Sequence, residues 1–550
     1  LVTKDFEAIV IGSGATGGVA ALTLAEAGIK VLVIEAGPNY SSQKAIGSEP
    51  CNSFRRISSL LTGEHGQQLQ HPGFWKANPL LFAKKKDNPY LFPPSHPYIW
   101  TQGRQVGGRS LTWGGITLRL SNQNFTSAEV DGFGPNWPIK HEDLDKHYSA
   151  LEKLFKIHGM RDGLQNLPDG EYISPLPLTS SEKSFASKIQ NDLGYKLINS
   201  RGFGPHQPSK KEPWPKFSSP GSTLRKAIAT GNVEVLCNHI VEKLIMNNEK
   251  DKAKGVLLIN ILTNSRIEIK GKLIIMCGST IQTLKILLNS EETNHSNGFV
   301  DPSGMLGENL MDHISTCRFF AVPKTNADHT NNVDSNYTLS GAGSFLIPCG
   351  DKIQNNNSKK FIRDYGIWGG IDRFNIPSFL RKIPETTIGF LIGHGEVLPQ
   401  KKNKVTLSNE LDKWETPIPF IDCCWGENEL LMVSDIQKTI NLMITSAGGK
   451  ILPLHELINL PFLEPILSGA MALQEGAPPP GYYIHEVGGA PMGREENSSV
   501  VDPINRLWRC SNVLVVDGAC WPSSGWQSPT LTMMAITRRA CLEAIKPRNA

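Results

Sequence analysis

The chain opens on an unbroken apolar run, Ala8-Ile9-Val10-Ile11, and a second follows at Val31-Leu32-Val33-Ile34. Short runs without polar alternation are the pattern of strands buried on both faces. Between them lie a glycine-rich turn and an Ala- and Leu-rich stretch that Gly28 terminates. The first 37 residues therefore predict a strand, a helix and a second strand, the start of a βαβ unit.

The pattern then changes. Residues 40–100 are polar, with Pro and Gly throughout, and carry Trp75, Trp100 and the basic run Lys84-Lys85-Lys86. They predict an irregular excursion over the surface, with the lysines a solvated face. Residues 121–220 are again irregular apart from a helix over Asp143 to Phe155. Alternating apolar positions return at Asn232–Val241 and Ala253–Ile275 and predict strands, feeding a turn at Gly278 and a helix to Leu288. Short strand-like runs fill 320–420, Leu430–Ile444 and Pro453–Leu467 have helical spacing, and the last 70 residues return to strand, turn and helix. Only Asn355-Asn356-Asn357 with Lys359-Lys360 approaches low complexity, and no internal repeat is present. The alternation predicts interleaving: blocks 1–120, 222–312 and 480–550 form one nucleotide-binding domain, and blocks 121–221 and 313–479 a second, substrate-facing one.

At 550 residues the chain exceeds what one hydrophobic core supports, which agrees with two packed domains. Its 56 lysines and arginines against 52 acids leave a net charge of +4, no basis for a nucleic-acid partner. No segment approaches the roughly 20 apolar residues of a membrane span. The N-terminus runs almost at once into a strand, and ten scattered cysteines include no C-x-x-C pair. A cytoplasmic location is the expectation, and a mature form whose leader has been removed fits the absence of an initial Met. Vicinal Cys423-Cys424 reads as two packed thiols.

Gly12-Ser13-Gly14-Ala15-Thr16-Gly17 matches G-x-G-x-x-G between strand and helix. Gly12 permits the tight turn, Gly14 lets backbone approach a pyrophosphate, and Gly17 lets helix and strand pack closely. Phosphates then sit at a helix N-terminus, whose dipole and free N–H groups favour anions. Glu35, at the end of the second strand, is placed to bind both ribose hydroxyls, which argues against a 2′-phosphate. This fingerprint does not separate FAD from NAD.

A second glycine cluster reads Gly103-Arg104-Gln105-Val106-Gly107-Gly108-Arg109-Ser110-Leu111-Thr112-Trp113-Gly114-Gly115. With the first, it resembles the glucose–methanol–choline (GMC) oxidoreductase family of flavoenzymes, nearest the branch of gluconate, fructose and pyranose dehydrogenase-like enzymes. Gly278-Ser279-Thr280-Ile281-Gln282-Thr283, with Leu284 where a proline is usual, Gly307-Glu308-Asn309-Leu310-Met311-Asp312-His313 and Val515-Val516-Asp517-Gly518 are similar to further family blocks, in order. The resemblance implies an α/β fold: a Rossmann-like FAD-binding domain with an interleaved α+β substrate domain built on an antiparallel sheet. It implies cofactor contacts at Arg104, Gly107, Gly108, Ser110, Trp113, Gly114, Gly115, Ile116, Val241, Asp517, Gly518 and Pro529, besides Gly12, Gly14, Gly17 and Glu35. Glycines let main chain lie flat against a ring where side chains would collide. Val241 reads equally as an ordinary core strand residue. Family members with covalent FAD carry a histidine just before the tryptophan; Thr112 stands there, so non-covalent FAD is implied.

Tyr483-Ile484-His485-Glu486-Val487-Gly488-Gly489 resembles the block of the family's catalytic histidine, and His485 falls on that position. Alcohol oxidation moves hydride from carbon while the hydroxyl proton leaves, and a neutral imidazole can accept it. His485-Glu486-Val487 is no zinc motif, because Gly489 stands where a second histidine would be needed, and no metal is expected. The partner position, His or Asn in the family, is Ser528 here, within Trp526-Gln527-Ser528-Pro529. Serine is short and is no base near neutral pH, so a water, Gln527 or a closer substrate would compensate, or activity would be lower. The expected function is FAD-dependent oxidation of a CH–OH donor, a sugar, sugar acid or polyol-like alcohol by analogy. Oxidase and dehydrogenase are not distinguished, and the electron acceptor is unidentified. A non-catalytic flavin protein or a flavin subunit needing a partner is the alternative that Ser528 motivates. A nicotinamide dehydrogenase would leave the second glycine cluster and the His485 block unexplained.

Overall fold

The computed structural model describes residues 6–294, 298–324, 338–350, 359–374, 380–458 and 476–546. The two N-terminal apolar runs become parallel strands, Phe6–Ile11 and Val31–Ile34, joined by the helix Ala15–Glu26. Five strands lie side by side in parallel: Cys510–Val515, Arg266–Met276, Phe6–Ile11, Val31–Ile34 and Val233–Leu236. Ala8, Ile9, Val10, Val33, Ile274 and Ile275 are wholly buried, as a sheet covered on both faces requires. The helices Ala15–Glu26 and Thr530–Ala544 pack together beside it.

Arg266–Met276 belongs to two arrangements. Its first half pairs antiparallel with Ala253–Asn260, which pairs with His239–Met246, and its second half runs parallel to Phe6–Ile11. The strands expected from the alternation over 232–241 are Val233–Leu236 and His239–Met246. Asn238 divides them at φ 60°, a left-handed conformation that asparagine tolerates.

A second, antiparallel sheet sets six strands in the order Lys450–Ile451, Ile314–Pro323, Thr386–Gly395, Tyr365–Ile371, Phe345–Pro348 and Ile198–Asn199. The helix Glu427–Ser446 presses on one face so closely that a Cβ at Gly393 would lie 2.1 Å from Ile436. The other face is turned towards the cradle. The fold is thus α/β, a Rossmann-like parallel region joined to an antiparallel one.

Two long helices, besides several short ones, fall where irregular chain was expected. Glu49–Thr62 has Pro50 in its first turn and stops at Gly63, with φ 64°. Ser180–Leu193 carries a capping box between Thr179 and Glu182. Both sets of signals are in the sequence, and polar composition masked them. The expected helix near 143–155 is His141–Phe155, and Leu430–Ile444 lies within Glu427–Ser446. Of 453–467, Leu454–Leu457 is helical and 459–467 lies outside the described residues, as does Asn355-Asn356-Asn357. All ten cysteines are free, with Cys423 buried and Cys424 half-buried.

Glu182 does more than cap its helix. Its carboxylate receives Arg373 Nε at 2.9 Å and Nη2 at 2.6 Å, both side chains fully buried, which ties the helix to the antiparallel sheet. Glu182→Ala strips the carboxylate from a buried guanidinium. It is expected to lower the unfolding free energy by about 3–5 kcal/mol in urea titrations, and a change below about 1 kcal/mol would show that the pair carries no such role.

Candidate active site

Gly12 ends the first strand at φ 99°, and a Cβ there would lie 2.3 Å from the Cys277 carbonyl oxygen, so only glycine fits. The helix Ala15–Glu26 begins without a side-chain cap, which leaves its first-turn N–H groups open to an anion. Glu35 closes the second strand. Its carboxylate accepts the Ser13 N–H at 3.3 Å, the Ser13 hydroxyl at 2.5 Å and the Gly37 N–H at 2.9 Å. Burial raises the Glu35 pKa against the pull of those bonds. Ser13 Oγ in turn accepts the Gly107 N–H at 3.0 Å, so the two glycine clusters touch.

A cavity of about 1700 Å³ runs from this cradle to the antiparallel sheet. Gly12, Gly14, Glu35, Arg104, Gly108, Ser110, Trp113, Gly114, Gly115, Ile116, Val241, Asp517, Gly518 and Pro529 line it, together with His485 and Ser528. Gly17 and Gly107 are not in that lining. Gly17 abuts the Gly12 carbonyl, 2.0 Å from where its Cβ would be, and Gly107 binds Ser13. Arg104 donates to the Asp87 carbonyl and to Asn88 Oδ1 and stacks 5.0 Å from the Trp414 ring centre. Asp517 accepts the Thr283 hydroxyl at 2.6 Å and the Ala519 N–H at 3.1 Å, and burial pushes its pKa up to about 6.

His485 sits on a loop that one carboxylate organises. Asp312, buried, accepts the N–H groups of Gly481 at 2.9 Å, Tyr483 at 3.3 Å and His485 at 2.8 Å. Between them Ile484 holds φ 65°, a conformation that branched side chains resist. Burial and then the Glu486 carboxylate push Asp312 up to about 7. Glu486 itself accepts from Arg109 Nη1 at 2.6 Å.

Three imidazoles meet behind the cavity. His313 Nδ1 and His485 Nδ1 are 2.7 Å apart, and His313 Nε2 faces the Gly525 carbonyl. His394 stacks on Tyr483 with ring centres 4.9 Å apart and lies 5.5 Å from His313. Burial pushes His313 down to about 4. Burial, then His313, His394, Arg109 and His71, hold His485 well below the ordinary 6.5. Ser528 is buried at the cavity wall, and its hydroxyl has no partner among the described residues. Gln527 does not substitute for it: its amide is turned away and donates to the Asn166 carbonyl at 3.0 Å.

The family description "GMC oxidoreductase" fits both ends of the chain: its N-terminal part matches residues 6–315 and its C-terminal part 399–537. The chain belongs to the GMC oxidoreductase family. As a GMC oxidoreductase it is similar to 2-methyl-1,2-propanediol dehydrogenase of Mycolicibacterium austroafricanum, at 24% identity over 97% of this chain and 94% of that one. The large subunit of fructose dehydrogenase from Gluconobacter japonicus is 21% identical over 98% and 97% of the two chains. Among solved structures, pyridoxine 4-oxidase from Mesorbium loti superposes with a TM-score of 0.63 at 15% identity, covering 99% and 100% of the chains.

GMC oxidoreductases are FAD-binding flavoproteins that act on CH–OH groups, and the residues here fit that cofactor. The uncapped helix offers N–H groups to phosphates, and nothing lies within 4 Å of where a Gly114 Cβ would point, so the glycine keeps ring space open. Thr112 lines the cavity with its hydroxyl on the Arg109 carbonyl at 3.3 Å. Leu284, where a proline is usual in this GMC family, is buried against Gly489.

Sequence reasoning passed over Asp312, His313, His394 and the Arg109–Glu486 pair. Asp312 and His313 end a legible family block, but nothing in it tells that they face a loop more than 160 residues on. Asp312→Ala would leave three N–H groups without their acceptor around a strained residue. The expected loss is about 3–5 kcal/mol of stability in thermal or urea unfolding, and retention of wild-type stability would mean that the loop is held by something else.

Proposed function

We propose that this GMC oxidoreductase oxidises an alcohol at its CH–OH carbon, with FAD held non-covalently and His485 as the proton acceptor. Bound FAD supplies the two-electron acceptor to which the alcohol hydride passes. The reading rests on hydrogen-bond direction. Gly525 offers His313 only a carbonyl oxygen, so His313 Nε2 carries the proton there. A neutral imidazole has one N–H, so His313 Nδ1 is an acceptor, and the 2.7 Å contact requires His485 Nδ1 to donate. His485 Nε2 is then the free lone pair, on a residue that lines the cavity. A donor hydroxyl that gives its proton to Nε2 becomes alkoxide-like as its C–H hydride departs, and the carbonyl product forms.

His313 is a positioning residue in this scheme: it fixes the tautomer and accepts from the imidazolium that proton transfer creates. The Ser528 hydroxyl is suited to donate a bond to the donor oxygen. Thr112 in place of a histidine supports non-covalent FAD. The blocks 1–120, 222–312 and 480–550 act as the FAD domain in this reading, and 121–221 with 313–479 as the substrate domain.

His485→Ala should slow anaerobic flavin reduction by roughly 10²–10⁴-fold in stopped flow, the usual size of a general base, and an unchanged rate removes the assignment. The base works unprotonated and its pKa is depressed, so activity should persist as pH falls and fail only below 6.5. An acid limb in kcat/KM at or above that value contradicts the buried neutral imidazole.

His313→Ala should cut flavin reduction roughly tenfold, about the worth of one hydrogen bond. It should also move the acid limb of kcat/KM, because His313 faces His485 Nδ1 at 2.7 Å and is among the groups that set its pKa. A rate loss with an unmoved limb would reduce His313 to packing.

A further inference from the structure

Resting on the reading that this site oxidises an alcohol, we infer that its donor is an uncharged lipophilic alcohol, one hydroxyl on an aliphatic or aromatic body. The wall facing the cradle is one face of the six-stranded sheet. Trp368, Ile392 and Cys317 stand opposite one another across three strands, and in a neighbouring row Phe390 faces Phe319. Alternate strand residues share a face, so these side chains form one continuous surface, and all five line the cavity. Trp368 meets Phe390 edge-on at 5.1 Å.

This wall reaches the base. Trp368 Nε1 donates to Tyr483 Oη at 2.8 Å, and the Tyr483 ring lies edge-on to His485 at 4.8 Å. A donor whose hydroxyl is at His485 therefore has its remaining atoms against aromatic and aliphatic carbon.

What the wall lacks decides between donors. Among the described lining residues between 110 and 485 there is no Asp, Glu, Lys, Arg or Asn. The one carboxamide, Gln282, is committed to Asn88 Oδ1 at 2.9 Å and Gln102 Oε1 at 3.3 Å. Of the lining hydroxyls, Thr316 accepts from Gln437 at 3.2 Å and Ser340 from the Gly343 N–H at 2.8 Å. The charged lining residues lie at or before Arg109 or from Glu486 onwards in the chain, outside the strands of the wall. A sugar acid would bury its carboxylate against carbon without a counter-charge, which is strongly unfavourable. A sugar or polyol lying along this wall would set hydroxyls against carbon, and each one left without a partner costs on the order of tenfold or more in affinity. Carbohydrate sites also use aromatic platforms, but they surround them with carboxylates and amides that match the ring hydroxyls. The described sheet face has no carboxylate or amide; the polar groups left are hydroxyls and imidazoles such as Ser315, His206, His485 and Ser528.

The test uses the FAD-loaded protein in two ways. Anaerobic flavin reduction is compared for 1-hexanol, benzyl alcohol and cinnamyl alcohol against D-fructose, D-gluconate and sorbitol. The lipophilic set should be at least about a hundredfold more efficient, and Phe390→Ser should lower that efficiency by roughly 10–100-fold. Binding of the inert methyl ethers of the C4 to C8 primary alcohols, followed by perturbation of the flavin absorbance, should tighten about fourfold per added methylene. Equal or better reduction by sugars or polyols, or ether affinities independent of chain length, overturns the inference and leaves alcohol oxidation standing. Protein that retains FAD, binds the ethers with that chain-length dependence and is reduced by neither set keeps the lipophilic site but loses the proposed reaction.

Discussion

Three backbone N–H groups, those of Gly481, Tyr483 and His485, converge on the buried carboxylate of Asp312, and the reactive loop takes its shape from that convergence. Ile484 lies between two of them at φ 65°, a backbone state that an isolated β-branched residue avoids. Local preference alone would relax the loop and rotate the next residue. The carboxylate prevents this, because relaxing would abandon acceptors that no buried N–H can forgo cheaply. Asp312 and His313 are chain neighbours, so the anchor of the loop and the partner of its imidazole arrive together. Backbone placement and tautomer are set by adjacent residues at the start of one strand, Ile314–Pro323.

That strand also carries Cys317 and Phe319 of the apolar wall, which joins the proposed donor pocket to the electrostatics of the proposed base. Burial is the first cause of the low His485 pKa, and the neighbouring imidazoles and Arg109 add to it. A wall carrying carboxylates would bind sugars better, and it would also stabilise an imidazolium and leave the resting base protonated. Carbon against the pocket keeps the imidazole neutral and ready. In the proposed reaction the same low-dielectric surroundings would oppose the proton at His485, and relief would come from the line His485–His313–Gly525, where each hydrogen bond polarises the next.

The parts of this arrangement legible in the sequence are those that local pattern determines. Gly12, Gly14 and Glu35 follow from a turn between two apolar runs, and His485 stood out within its glycine-flanked block. The helices Glu49–Thr62 and Ser180–Leu193 were legible in principle, through Pro50, Gly63 and the Thr179–Glu182 box, but polar composition obscured them. The division of 232–241 turned on a single residue, Asn238, whose left-handed conformation no periodicity announces. His313 and His394 were not legible as site residues at all. Their approach to His485 is made by the antiparallel sheet folding against the cradle, over a separation of 172 residues for His313. The same holds for the aromatic wall, whose members lie on three strands and look like ordinary core until the register aligns them.

Ser528 takes on a different meaning in that setting. A short hydroxyl where relatives of this family carry a longer basic or amide side chain looks like a deficit when the cavity side is considered alone. Behind His485, however, a second imidazole stands at 2.7 Å on the Nδ1 side, where in the proposed reaction it would meet the demand of a transferred proton. Gln527 is turned to Asn166 and takes no part. Beside His485 the cavity is left with a hydroxyl that does not titrate. A second base there would compete with the donor oxygen for the same proton. Its absence among the described residues leaves the proposed role to Nε2 of His485 and leaves room beside it for the body of a donor.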